Sequence, residues 1–166
     1  IRYSPEGSPE PDLAESFEID DGGKNYTIRL RKNLTWHDGE PLDADDVIFT
    51  VKTIQNPEWK SPYRQNWQGV SVEKIDDETV RFALKQPYAP FIENLTIGII
   101  PEHRWARVSP QSALLSDLNL KPIGSGPYRF ESFSRQSDGS ITSYTLRAFR
   151  NGPHGRPHIK EIIFTF

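Results

Sequence analysis

The sequence predicts an α+β fold in which mixed, mainly antiparallel sheets carry short flanking helices. Three observations lead there. Two pairs of alternating apolar and polar segments are each joined by an acidic or glycine-rich turn. One segment with helical spacing carries a full set of N-terminal cap signals. Strand-like segments outnumber helical ones, and the two kinds are interleaved along the chain.

Residues 1–11 hold Pro5, Pro9, Pro11 and Gly7 among polar residues, a pattern expected of an extended lead-in. Phe17 and Ile19 then alternate with acidic residues. Asp21-Gly22-Gly23 tolerates positive φ, and Tyr26, Ile28 and Leu30 alternate with Thr27, Arg29 and Arg31, so a hairpin with one buried face is expected.

After Trp36-His37-Asp38-Gly39 a helix is expected to start at Ala44. Asp43 is its N-cap, Asp46 the acidic partner three residues on, and Leu42 and Val47 form a hydrophobic staple. Val47, Ile48, Val51 and Ile54 recur on one face, which should pack on a sheet until Asn56-Pro57 ends the run. Residues 58–69 have no clean period and read as a loop or short irregular helix. A second hairpin places Val70, Val72 and Ile75 before Asp76-Asp77-Glu78, with Val80, Phe82 and Leu84 after it.

Pro87 and Pro90 close that strand and open a helical stretch around Phe91, Ile92 and Leu95. A brief apolar run ends at Pro101, and residues 110–120 suggest another short helix before Pro122. Gly124-Ser125-Gly126-Pro127 is a turn that opens a strand with Tyr128, Phe130 and Phe133. Asp138-Gly139 turns the chain into Ile141, Tyr144 and Leu146, and a last strand covers 159–166.

A chain of 166 residues can bury one good core, and two separate lobes are not expected within it. No apolar run approaches the roughly 20 residues that cross a bilayer, so direct membrane insertion is not expected. The net charge of −3 gives no general reason to bind nucleic acid or an anionic membrane. Arg147, Arg150, Arg156 and Lys160 do gather near the C-terminus, and on sequence they read as a solvated surface. The absence of cysteine excludes disulfides, thiol catalysis and thiolate metal sites. The chain starts at Ile1 and stops inside an apolar strand pattern, so it is expected to be an excised piece.

Four motifs bear on chemistry. His37-Asp38 could be a hydrolase pair, but neighbours on an extended strand point to opposite faces. A turn with Asp38 on backbone amides and Gly39 left-handed fits better, with Trp36 as an anchor. Asp43, Asp45 and Asp46 lack the spacing of a calcium loop and sit where a helix N-terminus favours negative charge. Gly124-Ser125-Gly126-Pro127 has no following Lys-Ser or Lys-Thr and is not a nucleophile elbow. His154 and His158 have helical ligand spacing, yet Pro153, Gly155 and Pro157 forbid the helix, leaving no metal site expected. Separately, Trp59, Tyr63 and Trp67 offer aromatic faces either for a ligand or for packing their loop onto the body.

Leu13 to Ser16, Leu30-Arg31, Trp36 to Pro41 and Ala44 to Val47 together resemble the family 5 extracellular solute-binding proteins, the peptide-binding receptors of bacterial ABC importers. Gly124-Ser125-Gly126-Pro127-Tyr128 looks like a Gly-Thr-Gly-Pro-Tyr segment of the same receptors, with Ser125 in place of threonine. Asn151 is followed by Gly152-Pro153-His154 where the family usually has aromatic residues.

The resemblance implies part of a type II-like periplasmic binding protein fold: residues 1–122 as an accessory subdomain, and 123–166 as the start of the return into the first ligand-binding lobe. It also implies a non-catalytic, cofactor-free receptor outside the cytoplasm. That receptor would be periplasmic or a surface lipoprotein, and would deliver a peptide or similar solute to an ABC permease. Ser61-Pro62-Tyr63 resembles a segment near the ligand cleft, so Tyr63, Arg64, Trp67 and Ser125 are the implied ligand contacts. Two rivals remain at this level: a sensor module with the same fold, and a serine hydrolase using Ser125 with a histidine and a carboxylate behind it.

Overall fold

The computed structural model describes all 166 residues. It opens with a short ladder, β1 (Arg2–Tyr3) antiparallel to β2 (Pro9–Glu10), where the sequence suggested only an extended lead-in. The turn between them explains the difference. Gly7 at φ 82° donates its N–H to the Ser4 carbonyl at 2.9 Å, and Arg2 Nε donates to Glu10 Oε1 at 2.7 Å across the pair.

The main sheet has the order β3-β4-β6-β5, with β3 (Ala14–Asp20), β4 (Asn25–Leu30), β5 (Ser71–Asp76) and β6 (Thr79–Ala83) all antiparallel. Asp21, Gly22 and Gly23 take φ of 49°, 65° and 93°, the left-handed run that reverses β3 into β4. Joining the two hairpins puts Tyr26 opposite Phe82 and Ile28 opposite Val80, so the apolar sets of β4 and β6 share one buried face. Ile19 remains 48 % exposed, because β3 is the edge strand while the covering helix lies over β5 and β6.

That helix, α1 (Ala44–Gln55), begins as its cap residues dictate. Asp43 Oδ1 accepts from Asp45 N–H at 2.9 Å, and Asp46 Oδ2 accepts from Asp43 N–H at 3.3 Å. Val47, Val51 and Ile54 are buried against the sheet, each burial contributing about 1.5–3 kcal/mol. Two one-turn helices, α2 (Phe91–Asn94) and α3 (Glu102–Trp105), close the ends of this core. Phe91 is fully buried, edge-on to Tyr26 with ring centroids 4.9 Å apart and to Trp67 at 5.5 Å.

Residues 110–120 form 3-10 turns at Ala113–Leu115 and Asp117–Asn119 rather than a helix. Leu114 and Leu115 are about nine-tenths exposed, so no buried apolar stripe supports a longer helix. The second sheet, in order β7-β8-β9, holds β7 (Tyr128–Arg135), β8 (Ile141–Ala148) and β9 (Glu161–Thr165), all antiparallel. It adds no residue to the main buried cluster, which runs from Ala14 to Phe91. Its Phe130, Phe133 and Tyr144 pack on one another, and Tyr144 donates its hydroxyl proton to the Leu120 carbonyl at 2.8 Å.

Candidate functional site

Where the main sheet, α1 and the turn before β7 converge lies a groove of about 530 Å³. Its floor is Ile28, Val80 and Phe82 of the sheet, with Val47 and Val51 of the helix beside them. One wall is the apolar segment 95–99, the other is the lead-in around Tyr3 and Leu13, and Gly124 to Pro127 with His154 close the mouth. Apolar walls with a few polar groups at the rim are what a small-molecule site requires.

Two side chains of α1 hold the wall in place. Thr50 Oγ1 donates to the Asp46 carbonyl at 2.8 Å and accepts from Ile100 N–H at 3.0 Å, so the chain leaving residues 95–99 is tied to the helix. Asp46, buried at 5 % exposure, accepts from Trp36 Nε1–H at 3.0 Å through Oδ2 and from Glu102 N–H at 2.8 Å through Oδ1. Burial pushes the Asp46 carboxyl upward in pKa, and these N–H donors counter that only in part. Asp46 therefore serves as cap partner, anchor for the fully buried Trp36 and clamp for α3.

His37 holds the mouth. Its backbone N–H donates to the Gly124 carbonyl at 2.8 Å; its Nδ1 accepts from Gly124 N–H at 3.2 Å, and Nε2 donates to the Gly126 carbonyl at 2.9 Å. These contacts assign the neutral Nε2–H tautomer. Burial lowers the His37 pKa below its ordinary 6.5 and the Arg129 charge lowers it further, while the Gly126 hydrogen bond and Asp38 act in the other direction. Gly124 packs closely on the ring: an added Cβ would lie 3.3 Å from His37 Cε1, so a larger residue there requires the imidazole to shift by a few tenths of an ångström. The neighbouring Asp38 turns away from His37 and accepts from His103 Nε2 of α3 at 2.9 Å. Burial pushes the Asp38 carboxyl up, but the His103 hydrogen bond and charge together with backbone N–H groups hold it below its usual value. Gly39 has φ 94°, as the turn reading of this motif requires. At the other lip, His154 Nε2 donates to the Asp12 carboxylate.

Of the four residues implied as ligand contacts, Trp67 and Ser125 line this groove. Trp67 is 1 % exposed, edge-on to Phe82 with centroids 5.8 Å apart, so it forms the deep end of the floor. Tyr63 and Arg64 lie outside the lining. Tyr63 is 55 % exposed, and Arg64 Nε donates to the Gln55 carbonyl at 3.0 Å, satisfying the end of α1. The histidine that reaches the Ser125 turn uses both ring nitrogens on the backbone of Gly124 and Gly126, so no base is hydrogen-bonded to Ser125.

Residues 8–166 match the family described as Bacterial extracellular solute-binding proteins, family 5 Middle. The chain belongs to this family. As a family 5 chain it is 33 % identical over 175 residues to the dipeptide-binding protein of Escherichia coli (strain K12), covering 93 % of its own length and 32 % of that protein. It superposes on an ABC transporter substrate-binding protein, CtaP, from Listeria monocytogenes with a TM-score of 0.86 and 35 % identity, covering 99 % of this chain and 33 % of that one. The oligopeptide-binding protein AppA from Bacillus subtilis, solved with a nonapeptide, gives a TM-score of 0.87 at 29 % identity, with 99 % and 32 % covered. The family 5 chain thus spans about one third of the length of these relatives, and its α+β architecture is part of a type II-like periplasmic binding protein fold.

Sequence reasoning missed Thr50, Asp46 as a clamp, and the His37 latch. A threonine facing inward from an apolar helix stripe, and an aspartate at N3 beside a buried tryptophan, were the available signals.

Proposed function

We propose that this chain forms part of a substrate-binding receptor that captures peptides or a similar small solute for an ABC importer and performs no chemical step. Its place outside the cytoplasm, in the periplasm or as a surface lipoprotein, follows from that reading. The supporting observation is the groove itself: an apolar trough with Ser125, Thr96 and Asp12 at its rim, in a chain matched over residues 8–166 by the solute-binding family. In this reading Ser125 and the Gly126 backbone orient the solute, while the trough ending at Trp67 receives an apolar side chain. Tyr63 and Arg64 are kept for the far end of a longer solute. The boundary at 122/123 is kept as well, supported by the confinement of the main core to residues before it. No helix here is long and apolar enough to cross a membrane.

Affinity in a hinged receptor comes from burial between lobes, so this one third should bind weakly. Titrating di- to octapeptides into the isotopically labelled chain should give small, non-saturating amide shifts concentrated at Thr96, Ile97, Ser125 and Gly126. Shifts confined to residues outside the groove would contradict the assignment.

A further inference from the structure

The second sheet carries a separate feature. A groove of about 700 Å³, sharing no lining residue with the first, is edged by Arg129, Arg147, Arg150, Arg156 and Lys160, with Glu161 as its one acidic side chain. Such a concentration is unexpected in a chain whose net charge is −3. The sequence showed four of these cations as a loose C-terminal cluster. The fold adds Arg129 from β7 and makes the cluster concave.

The register sharpens the point. Arg129 stands directly opposite Arg147 in the β7–β8 ladder, and like charges so placed repel. Arg147 is compensated, lying 3.2 Å from Glu131 and 3.9 Å from Glu161. Arg129, Arg150, Arg156 and Lys160 have no carboxylate within 4.0 Å: Arg147 is the one cation of the groove that takes part in an ion pair. Arg129 is also half-buried, which makes an uncompensated charge there more costly than at an open surface.

We propose that this groove is an anion site for a small compound with clustered carboxylate or phosphoryl oxygens, held by the cations that no carboxylate compensates, Arg129 and Arg156 among them. Guanidinium groups suit such oxygens because they can donate two parallel hydrogen bonds. The anion would sit between Arg129 and Arg147 and convert their repulsion into shared attraction. A soluble polyanion and an anionic lipid headgroup present the same oxygens, and the test separates them.

Calorimetric titration of the 166-residue chain with citrate and with pyrophosphate, and co-sedimentation with phosphatidylglycerol against phosphatidylcholine vesicles, are read for the wild type, Arg129→Gln, Arg156→Gln and, as a control, Arg107→Gln, an exposed arginine that lines neither groove. Saturable binding of a soluble probe, weakened about tenfold or more by Arg129→Gln and Arg156→Gln but not by Arg107→Gln, supports a solute site. Binding only to phosphatidylglycerol vesicles with the same variant pattern supports the headgroup. Arg129→Gln should also slightly raise the melting temperature of the unliganded chain by removing the like-charge pair. No saturable binding of any probe, equal weakening by Arg107→Gln, or a lowered melting temperature in Arg129→Gln overturns the proposal.

Discussion

Removing the Asp46 carboxylate tests how the groove wall is held. In Asp46→Ala three donors lose their acceptor: Trp36 Nε1–H, Glu102 N–H and Asp43 N–H, bonded at 3.0, 2.8 and 3.3 Å. Trp36 is fully buried, so water cannot replace its partner without a rearrangement. Each orphaned buried donor costs about 1–3 kcal/mol, and loss of the capping arrangement costs about 1 kcal/mol more. Against this, the wild type already bears the desolvation that raises the Asp46 pKa, and alanine removes it. The net expectation is about 3–5 kcal/mol of lost stability, a large share of the roughly 5–15 kcal/mol of an ordinary domain. At about 2–4 °C per kcal/mol for a chain of this size, the melting temperature should fall by about 10 °C in a circular-dichroism melt. A loss under about 1 kcal/mol would refute the idea that this carboxylate clamps Trp36 and α3 together.

His37→Phe should remove two side-chain hydrogen bonds to the Gly124–Gly126 turn and cost about 1–3 kcal/mol at neutral pH. Because burial depresses the folded-state pKa of His37, its stabilisation is present above 6.5 and is lost as the pH falls through the folded value. Urea denaturation across that range should therefore slope less steeply in the variant, and parallel slopes would contradict the latch. Phe91→Ala should cost about 3–5 kcal/mol, since the ring is fully buried against Tyr26, Trp67 and Phe82. Chemical denaturation measures this directly, and a loss near zero would place Phe91 outside the core.

How much was legible follows the range of the interactions. The start of α1 could be read because its cap, acidic partner and staple lie within a few residues of one another, and both hairpins could be read from alternation around short turns. The joining of β4 to β6 could not, because each strand had already found a local partner and nothing local specifies the second. Trp67 showed only aromatic character in the sequence; whether it stacks on a ligand or on Phe82 depends on contacts from distant segments. His37 was rightly separated from Asp38 by strand geometry, but its partners lie 87 and 89 residues away. Residues 110–120 misled for the opposite reason: the local pattern permits a helix that no neighbouring surface buries. The basic groove shows the same limit, since Arg129 joins the C-terminal cations only through the β7–β8 pairing.

The most direct measurement exchanges this chain for the matching third of the Escherichia coli dipeptide-binding protein and follows dipeptide binding to the chimera by calorimetry. A folded chimera that binds dipeptide, with binding weakened by Ser125→Ala and preserved in Arg107→Gln, is the predicted result. A chimera that melts cooperatively yet binds no dipeptide, tripeptide or longer peptide would contradict the receptor assignment.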